Sequence, residues 1–309
     1  PGASMFEKMQ YLEGKADDLR NFLLNEPRGR VTQCVNLVLP ATKPEADAGF
    51  VIMESDFYVP MSGTNTICTV TALLETGMIP MKEPETKLVL EAPAGVVPVT
   101  AQCENGKCIS VTFENVPSFV FALDAKVEVP GLGTITVDVA YGGMIYVLVD
   151  AASIGFNIDK AEASRLVEVG ERIKKAAAEQ LPAIHPENPE IHTINQTLFA
   201  GPLEEHDGVK RSRNAVIVSP GRIDRSPCGT GTSARLAVMH ARGQVAIGET
   251  FIHESIIGTE FIGRVLGETT CGGKGAICPA ITGQAWITAF HNYVLDPTDP
   301  FPTGFRLGD

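Results

Sequence analysis

Two stretches of the chain share one pattern: Met61-Ser62-Gly63-Thr64-Asn65-Thr66 and Pro227-Cys228-Gly229-Thr230-Gly231-Thr232. Ser62 and Cys228 are 166 positions apart, and the glycine and both threonines of the two copies match at the same offset. An apolar segment of about three helical turns follows each copy and ends at a glycine, Gly77 or Gly243. Self-similarity at one offset is typical of a duplication, so the pattern predicts two similar halves related by a pseudo-twofold axis.

Each copy places a serine or a cysteine immediately before a predicted helix. The first backbone N–H groups of a helix have no partner within it, and the helix dipole favours negative charge there and lowers a thiol pKa. Two such helix starts could hold one carboxylate between them and present two proton carriers to opposite faces of the bound molecule. This arrangement suits proton transfer at the α-carbon of an amino acid. The alternative interpretation is that Ser62 is only an N-cap and Cys228 only a buried thiol.

The remaining chain mixes strands with a few helices and lacks strict strand–helix alternation. Apolar spacing predicts helices over Phe6–Asn25, Thr64–Glu75, Ala161–Gln180 and Cys228–Ala241, with strand-like segments between them. We therefore predict a mixed α/β (α+β) fold rather than a doubly wound sheet. The domain prediction is residues 1–128 plus 292–309 for the half with the first motif, and 129–291 for the half with the second.

Composition excludes several classes of partner. The chain has 309 residues, of which 44% are hydrophobic and 20% charged, as in ordinary globular proteins. Lysine and arginine number 25 against 37 aspartates and glutamates, a net charge of −12, and nucleic acids or anionic membrane surfaces require a basic face. No apolar run approaches the roughly 18 residues of a membrane span. We expect a cytoplasmic protein with neither kind of partner.

The cysteines and histidines give no sign of a metal site. The seven cysteines are odd in number and lack tight metal-binding spacing, which favours a reduced chain. The six histidines likewise form no ligand pair at helical spacing, and we interpret them as structural or surface residues. The sequence therefore predicts no metal.

At the two motifs the sequence resembles the proline racemase family, which includes proline racemase, 4-hydroxyproline 2-epimerase and trans-3-hydroxy-L-proline dehydratase. The resemblance runs along most of the chain, and the run Asp224-Arg225-Ser226-Pro227-Cys228-Gly229-Thr230-Gly231 is highly specific. The further matching motifs are Glu26-Pro27-Arg28-Gly29, Met61-Ser62-Gly63, Leu90-Glu91-Ala92-Pro93-Ala94-Gly95, Ala140-Tyr141-Gly142-Gly143 and Gly258-Thr259-Glu260-Phe261.

This resemblance implies a diaminopimelate-epimerase-like fold. Two pseudo-symmetric halves would each wrap strands around a central helix, with the active site in the cleft between them. It implies a small imino acid substrate, proline or a hydroxyproline, and neither cofactor nor metal. It is also compatible with a homodimer, and it implies that an N-terminal segment precedes Pro1.

Family roles carry over by position. Cys228 matches the catalytic cysteine of the second motif, and Ser62 takes the place of the first-motif cysteine. Asp224 matches the aspartate that receives the ring ammonium. The positions implied to bind the substrate carboxylate are Gly63, Thr64, Gly229 and Thr230.

The first motif departs from the common family pattern. Many members have Cys-Gly-His where this chain has Ser62-Gly63-Thr64. A serine hydroxyl is far less acidic than a thiol, so Ser62 is a poor exchange partner for Cys228 and symmetric racemisation of proline is not expected. Relatives with a Ser–Cys pair act on hydroxyprolines. The resemblance thus predicts a trans-3-hydroxy-L-proline dehydratase that forms Δ1-pyrroline-2-carboxylate, and a 2-epimerase activity can accompany it.

Two alternatives remain at the level of sequence. One is a 4-hydroxyproline 2-epimerase or proline racemase. The other is an inactive amino-acid-binding relative that lost its chemistry with the first cysteine, although the intact Asp224–Cys228 run speaks against it.

Overall fold

The structure, a computed structural model, describes residues 1–218 and 221–307. The chain divides into two compact units. The first unit comprises Pro1–Phe113 and the segment that begins at Gln284, and the second comprises Glu114–Gly283. Among the described residues, no helix has the length and apolar character needed to cross a bilayer.

The bounds of the units differ from the 128/129 and 291/292 boundaries predicted from sequence. The second unit begins earlier because the strand Phe119–Val129 pairs with the strand Gly133–Tyr141, which belongs to that unit. The unit also ends earlier, at Gly283, which is the last residue of its final strand. The turn at Pro130 and Gly131, close to the predicted boundary, is the tip of the hairpin that these two strands form.

Within the part of the first unit that the structure describes, the chain forms three helices and six strands. Its strand order is β1-β2-β4-β5-β6 with β3 paired to β2, and the β2–β4 pair is parallel. The elements are α1 (Met5–Lys15), α2 (Asp18–Leu24), β1 (Val35–Leu39), β2 (Ala48–Met53), β3 (Tyr58–Val59), α3 (Gly63–Glu75), β4 (Glu85–Ala92), β5 (Gly95–Glu104) and β6 (Lys107–Glu114).

Helices α1 and α2 replace the single helix predicted over Phe6–Asn25. The backbone leaves the helical region at Ala16. This break allows Met5 from α1 and Leu24 from α2 to enter one cluster with Val51 and Met53 of β2. A straight helix could not bring both side chains to the same side of the strand, because its apolar face is fixed by the 3.6-residue period.

Helix α3 contacts both ends of the strand order in its unit. It packs against β1, and its first residue, Gly63, lies against the ring of Phe113 in β6. A Cβ atom at Gly63 would stand 2.2 Å from Phe113 Cζ, so only glycine fits. Further along the helix, the Glu75 carboxylate accepts a hydrogen bond from the backbone N–H of Cys108 in β6 at 3.1 Å. The strands of this unit therefore curve around α3.

The described residues of the second unit form two α-helices and ten strands, besides two short 3-10 helices at Ala152–Ile154 and Lys160–Glu162. Its order is β16-β15-β14-β12-β10-β9-β8-β7, with β11 and β13 paired to β12 and with parallel pairs β9–β10 and β12–β14. The elements are β7 (Phe119–Val129), β8 (Gly133–Tyr141), β9 (Ile145–Asp150), α4 (Ala163–Gln180), β10 (Gln196–Ala200), β11 (Glu204–His206), β12 (Val209–Val218), β13 (Arg222–Ile223), α5 (Gly229–Ala241), β14 (Thr250–Glu254), β15 (Glu260–Cys271) and β16 (Lys274–Gly283).

Helix α5 is the central helix of the second unit. It contacts β7, β8, β9, β15 and β16. The two ends of the strand order meet where Ser118, next to β7, exchanges backbone hydrogen bonds with Ile277 of β16. The predicted mixed α/β fold, with strands around a helix that follows each motif, is thus confirmed.

The two motif helices have the same length and the same ends. Helices α3 and α5 each have 13 residues, so their starts and ends both differ by the repeat offset. Gly77 and Gly243 follow them with φ values of 73° and 66°. This left-handed conformation is the one that glycine adopts without steric cost after a helix. The match supports the duplication inferred from the sequence.

Candidate active site

Ser62 is the N-cap of α3 and its hydroxyl oxygen receives two N–H groups from Asn65. The Asn65 side-chain Nδ2 donates to Ser62 Oγ at 2.9 Å, and the Asn65 backbone N–H donates at 3.5 Å. Thr66 Oγ1 donates to the carbonyl oxygen of Ser62 at 2.9 Å. Ser62, Thr64 and Asn65 are partly exposed, while Gly63 is buried. The first motif therefore forms a capped helix start at a partly exposed serine.

Cys228 occupies the equivalent place at the start of α5. Its Sγ accepts the backbone N–H of Gly231 at 3.4 Å, and Thr232 Oγ1 donates to the Cys228 carbonyl oxygen at 2.7 Å. Both bonds repeat those of the first motif at the same relative positions. Cys228 is buried and has φ 66°, an uncommon conformation for a residue with a side chain. Such strained backbone is found at functional sites, where the surrounding structure maintains it.

Two hydroxyl groups also lie beside the Cys228 sulfur. Tyr146 Oη, from β9, is 3.3 Å from Sγ, and Thr230 Oγ1 is 3.7 Å from it. The two hydroxyls are themselves 2.7 Å apart. One of their two protons is used between them, and the other can be donated to the sulfur. Together with the Gly231 N–H, this gives a thiolate two hydrogen-bond donors.

Asp224 is joined to Cys228 by a short chain of hydrogen bonds. The Ser226 N–H donates to Asp224 Oδ1 at 2.8 Å, and the Cys228 N–H donates to Ser226 Oγ at 3.0 Å. The carboxyl group follows strand β13 and is partly buried. The structure therefore brings together four residues predicted for the second motif, namely Asp224, Cys228, Gly229 and Thr230.

Burial and the nearby carboxylate both disfavour the ionised thiol. Burial, followed by the negative charge of Asp224, raises the pKa of Cys228 to about 12. Burial also raises the pKa of Asp224 above its ordinary value. From the sequence we expected the helix start to lower the pKa of the Cys228 thiol, and in the structure that pKa is raised instead. The donors of the helix start are present, but they are outweighed by desolvation and by the Asp224 charge.

Buried polar residues that the sequence analysis did not single out support this helix start. His253 Nδ1 lies 2.9 Å from Thr232 Oγ1. Asn214 Nδ2 donates to the Pro227 carbonyl oxygen at 2.8 Å and lies 3.3 Å from the same histidine nitrogen. His253 is fully buried, and burial holds its pKa well below the usual range, so the ring is neutral. These groups fix the backbone on both sides of Cys228.

Tyr146 was also missed, although a signal existed. It is the one residue with a polar side chain within the apolar run Ile145-Tyr146-Val147-Leu148-Val149. A buried tyrosine hydroxyl needs a partner, and such a residue next to the Ala140-Tyr141-Gly142-Gly143 motif could have been assigned to the site. The glycines of that motif pack directly on α5, since a Cβ at Gly142 would lie 2.2 Å from the Thr230 carbonyl oxygen.

Over the residues that it describes, the structure shows neither a disulfide nor a metal-binding cluster, and it places His185 beside Cys271. No disulfide joins any of the seven cysteines, and no group of three or more His, Cys, Asp or Glu within residues 1–218 and 221–307 could hold a metal ion. His185 receives the backbone N–H groups of Glu187 and Asn188 at 3.2 Å each, and its Nε2 lies 3.7 Å from the sulfur of Cys271. This pair joins a loop to the β15–β16 hairpin.

Comparison with known proteins gives the family. The sequence model described as proline racemase matches residues 1–306. The chain belongs to the proline racemase family. The family consists of racemases and epimerases, which supports the prediction that this protein is an isomerase. The resemblance stated from the sequence is confirmed.

Two solved structures are similar to this proline racemase family member over nearly its whole length. One is a probable proline racemase from Agrobacterium radiobacter K84 with bound carbonate; it is 44% identical, with a TM-score of 0.89, and the match covers 99% of this chain and 90% of that one. The other is a hydroxyproline epimerase from Agrobacterium vitis with bound trans-4-hydroxy-L-proline; it is 43% identical, with a TM-score of 0.89, covering 99% and 88%.

A more distant structure shares the fold alone. The phenazine biosynthesis protein of the PhzF family from Bacillus anthracis is 13% identical with a TM-score of 0.58, and the match covers 89% of this chain and 87% of that one.

The charge of Asp224 can be tested through the reactivity of Cys228. We expect Asp224→Asn to lower the thiol pKa, because it removes a negative charge, and to increase alkylation of Cys228 by iodoacetamide at pH 8 about tenfold. Peptide mass spectrometry of a time course measures this rate. Asp207→Asn, on the exposed β11–β12 turn, serves as the control and should leave it unchanged. An unchanged or slower alkylation of Asp224→Asn contradicts the electrostatic explanation.

Proposed function

We propose that this protein abstracts the Cα proton of a hydroxyproline without a cofactor. The proposed main reaction is the dehydration of trans-3-hydroxy-L-proline to Δ1-pyrroline-2-carboxylate, accompanied by 2-epimerase activity. The observation that carries the proposal is the Cys228 sulfur beside Asp224, with hydrogen-bond donors from Gly231 and from the Tyr146–Thr230 pair. A thiolate held in this way is a general base, with Asp224 available to a cationic ring nitrogen.

The raised pKa of Cys228 suggests how substrate would activate the base. A hydroxyproline carries a ring ammonium at neutral pH. An ammonium paired with Asp224 cancels the charge that disfavours the thiolate, while the Gly231 N–H and one hydroxyl remain to stabilise it. The thiol is therefore neutral in the unliganded protein, and its proton is lost when a zwitterionic substrate is bound. Activation of this kind favours imino acids over simple carboxylic acids.

The substrate carboxylate has suitable donors at the helix starts. Gly63 and Thr64 are the first two residues of α3, and Gly229 and Thr230 are the first two of α5. Backbone N–H groups at such positions bind anions well, because the helix dipole adds to the hydrogen bonds. We propose that these residues bind the carboxylate, and that Ser62 and Cys228 serve as the two proton carriers.

The stereochemistry of trans-3-hydroxy-L-proline permits elimination with one carrier. Its 3-hydroxyl and carboxylate lie on opposite faces of the ring, so the α-hydrogen is on the same face as the hydroxyl. The carrier takes the α-proton and returns it to the hydroxyl on the same face, which leaves as water while the electron pair of the Cα–H bond forms the C2=C3 bond. The resulting enamine loses a proton from nitrogen, takes one up at C3 and becomes Δ1-pyrroline-2-carboxylate. Overall the substrate loses one water, with no net change in protons and no redox change.

The second candidate function is 2-epimerisation of 4-hydroxyproline. The observation that favours it is the hydroxyproline epimerase structure with bound trans-4-hydroxy-L-proline, to which this chain is 43% identical. A 4-hydroxyl is not β to the α-carbanion, so that substrate can exchange and invert at Cα but cannot eliminate water in the same step. The two candidates therefore differ in product rather than in the first proton transfer.

Incubation in D₂O separates the candidates. The protein is incubated with trans-3-hydroxy-L-proline, trans-4-hydroxy-L-proline or L-proline, and the products are followed by NMR and mass spectrometry. We expect loss of one water from the first, with deuterium at C3 of the product. Cα deuteration with inversion of the 4-hydroxy isomer alone would establish the second candidate instead. No change in any of the three would support the inactive binding relative.

A further inference from the structure

The two motif copies differ at the position three residues after the reactive atom. The second copy has Gly231, and a Cβ atom there would lie 3.2 Å from the Cys228 sulfur. The first copy has Asn65, whose side chain occupies this space and donates to the smaller Ser62 oxygen at 2.9 Å. Two other bonds recur in both copies: the backbone N–H of the third residue points at the cap atom, and the threonine hydroxyl donates to the cap carbonyl. A side-chain donor at this third position is therefore present in the serine copy and absent from the cysteine copy.

The two hydrogen bonds from Asn65 determine which way the Ser62 hydroxyl can donate its proton. Ser62 Oγ has one proton to donate and two lone pairs. The Asn65 Nδ2 group points at one lone pair at 2.9 Å, and the Asn65 backbone N–H points at Oγ at 3.5 Å. With its acceptor side used by two N–H donors, the hydroxyl directs its own proton away from Asn65. The oxygen left after transfer of that proton keeps both donors.

The Asn65 side chain is carried on a fixed backbone. Asn36, in strand β1, donates from Nδ2 to the Asn65 carbonyl oxygen at 3.3 Å, and Asn65 stands in the first turn of α3. Thr66, the next residue, is buried and bonded to the Ser62 carbonyl. The donor therefore keeps its position relative to Ser62 Oγ.

We propose that Asn65 is a positioning residue that holds Ser62 in its proton-donor form and stabilises the oxygen once the proton has left. This inference rests on the proposed function, in which Ser62 is one of the two proton carriers. It explains how a hydroxyl with a high intrinsic pKa can take part in epimerisation, since hydrogen bonds to the charged form favour it.

The test compares Asn65→Ala and Asn65→Asp with the parent protein in D₂O. For Asn65→Ala we expect epimerisation to fall about tenfold in kcat with little change in KM, because one strong hydrogen bond to the oxygen is lost. Thr76→Ala is the matched control: it removes a side-chain hydrogen bond, 2.6 Å to Ala72 O, at the far end of the same helix. It should leave the kinetics unchanged.

Asn65→Asp gives a pH signature that a structural role lacks. A carboxylate can only accept, so it draws the Ser62 proton toward itself, whereas a protonated carboxyl can donate as asparagine does. An ordinary aspartate has a pKa near 3.9. The ratio of variant to parent epimerisation should therefore rise about tenfold per pH unit as the pH falls from 7 to 5. A constant ratio overturns the proposal.

A double variant tests whether the Asn65 side chain fits beside an oxygen but not beside a sulfur at position 62. Ser62→Cys alone places a larger sulfur against the Asn65 side chain, whereas Ser62→Cys with Asn65→Gly reproduces the spacing of the second copy. We expect the double variant to epimerise faster than Ser62→Cys alone, and the reverse order contradicts the inference.

The outcomes separate this inference from the proposed function. If the parent protein neither exchanges nor eliminates with any hydroxyproline, the proposed function fails. If the parent is active and Asn65→Ala retains its full kcat while its melting temperature falls like that of Thr76→Ala, Asn65 only caps the helix and this inference alone fails.

Discussion

Replacement of Cys228 by serine is expected to lower α-proton exchange on the order of a thousandfold, with all three imino acids as test substrates. A serine hydroxyl is a far weaker acid than a thiol, so almost none of it is ionised at neutral pH even when substrate pairs with Asp224. The fold should survive, because serine is a good N-cap and its oxygen can accept the Gly231 N–H as the sulfur does. Deuterium incorporation at Cα, measured by NMR, reports the loss.

Cys271→Ser is the matched control for this variant. Cys271 is also a buried cysteine of the second unit, but its sulfur lies beside His185 rather than at a helix start. We expect exchange to be retained there, although the melting temperature can fall. If Cys228→Ser exchanged the α-proton at a rate near that of the parent protein, Cys228 would not be the base.

Replacement of Ser62 by alanine is expected to abolish 2-epimerisation, with a loss of at least about a hundredfold. Inversion needs a proton on the face opposite to the one from which it was taken, and alanine has none to give. Rates of inversion and of water loss are measured separately, by chiral chromatography and by mass. Loss of dehydration as well would show that Ser62 takes part in the elimination, whereas its retention would leave Cys228 as the sole base.

Ser62→Cys completes the series. We expect it to raise epimerisation relative to dehydration, because a carrier with a pKa nearer the working pH favours reversible proton transfer. If Ser62→Ala left both activities unchanged, the hydroxyl would serve only as a helix cap, which contributes on the order of 1 kcal/mol to stability. The interpretation with two proton carriers would then be wrong.

The local features of both motifs follow from sequence because they depend on residues close together in the chain. A small polar residue before Gly-Thr-x-Thr and an apolar segment that ends at glycine are enough to predict a capped helix. In the structure both helices are 13 residues long, and Ser62 and Cys228 are their N-caps. The mixed fold class was predicted from the order of helical and strand-like segments and the family from the resemblance of several motifs, and both are confirmed.

Features that depend on distant residues could not be predicted in the same way. The division at Phe113 and Glu114 follows from the pairing of β7 with β8, and the turn signals near Pro130 gave no information about which strands pair. The break between α1 and α2 depends on a shared cluster with β2, whereas the apolar spacing over that segment fits one helix.

The chemistry of the second motif shows the same limit most clearly. The sequence determined that a thiol stands at a helix start, which by itself lowers a pKa. Only the tertiary structure places that thiol in a buried position with Tyr146 beside it and the Asp224 charge close by, and together burial and that charge raise its pKa to about 12. Desolvation and charge act through space and depend on every neighbouring element, so a motif read along the chain contains the donors but not the environment that decides their effect.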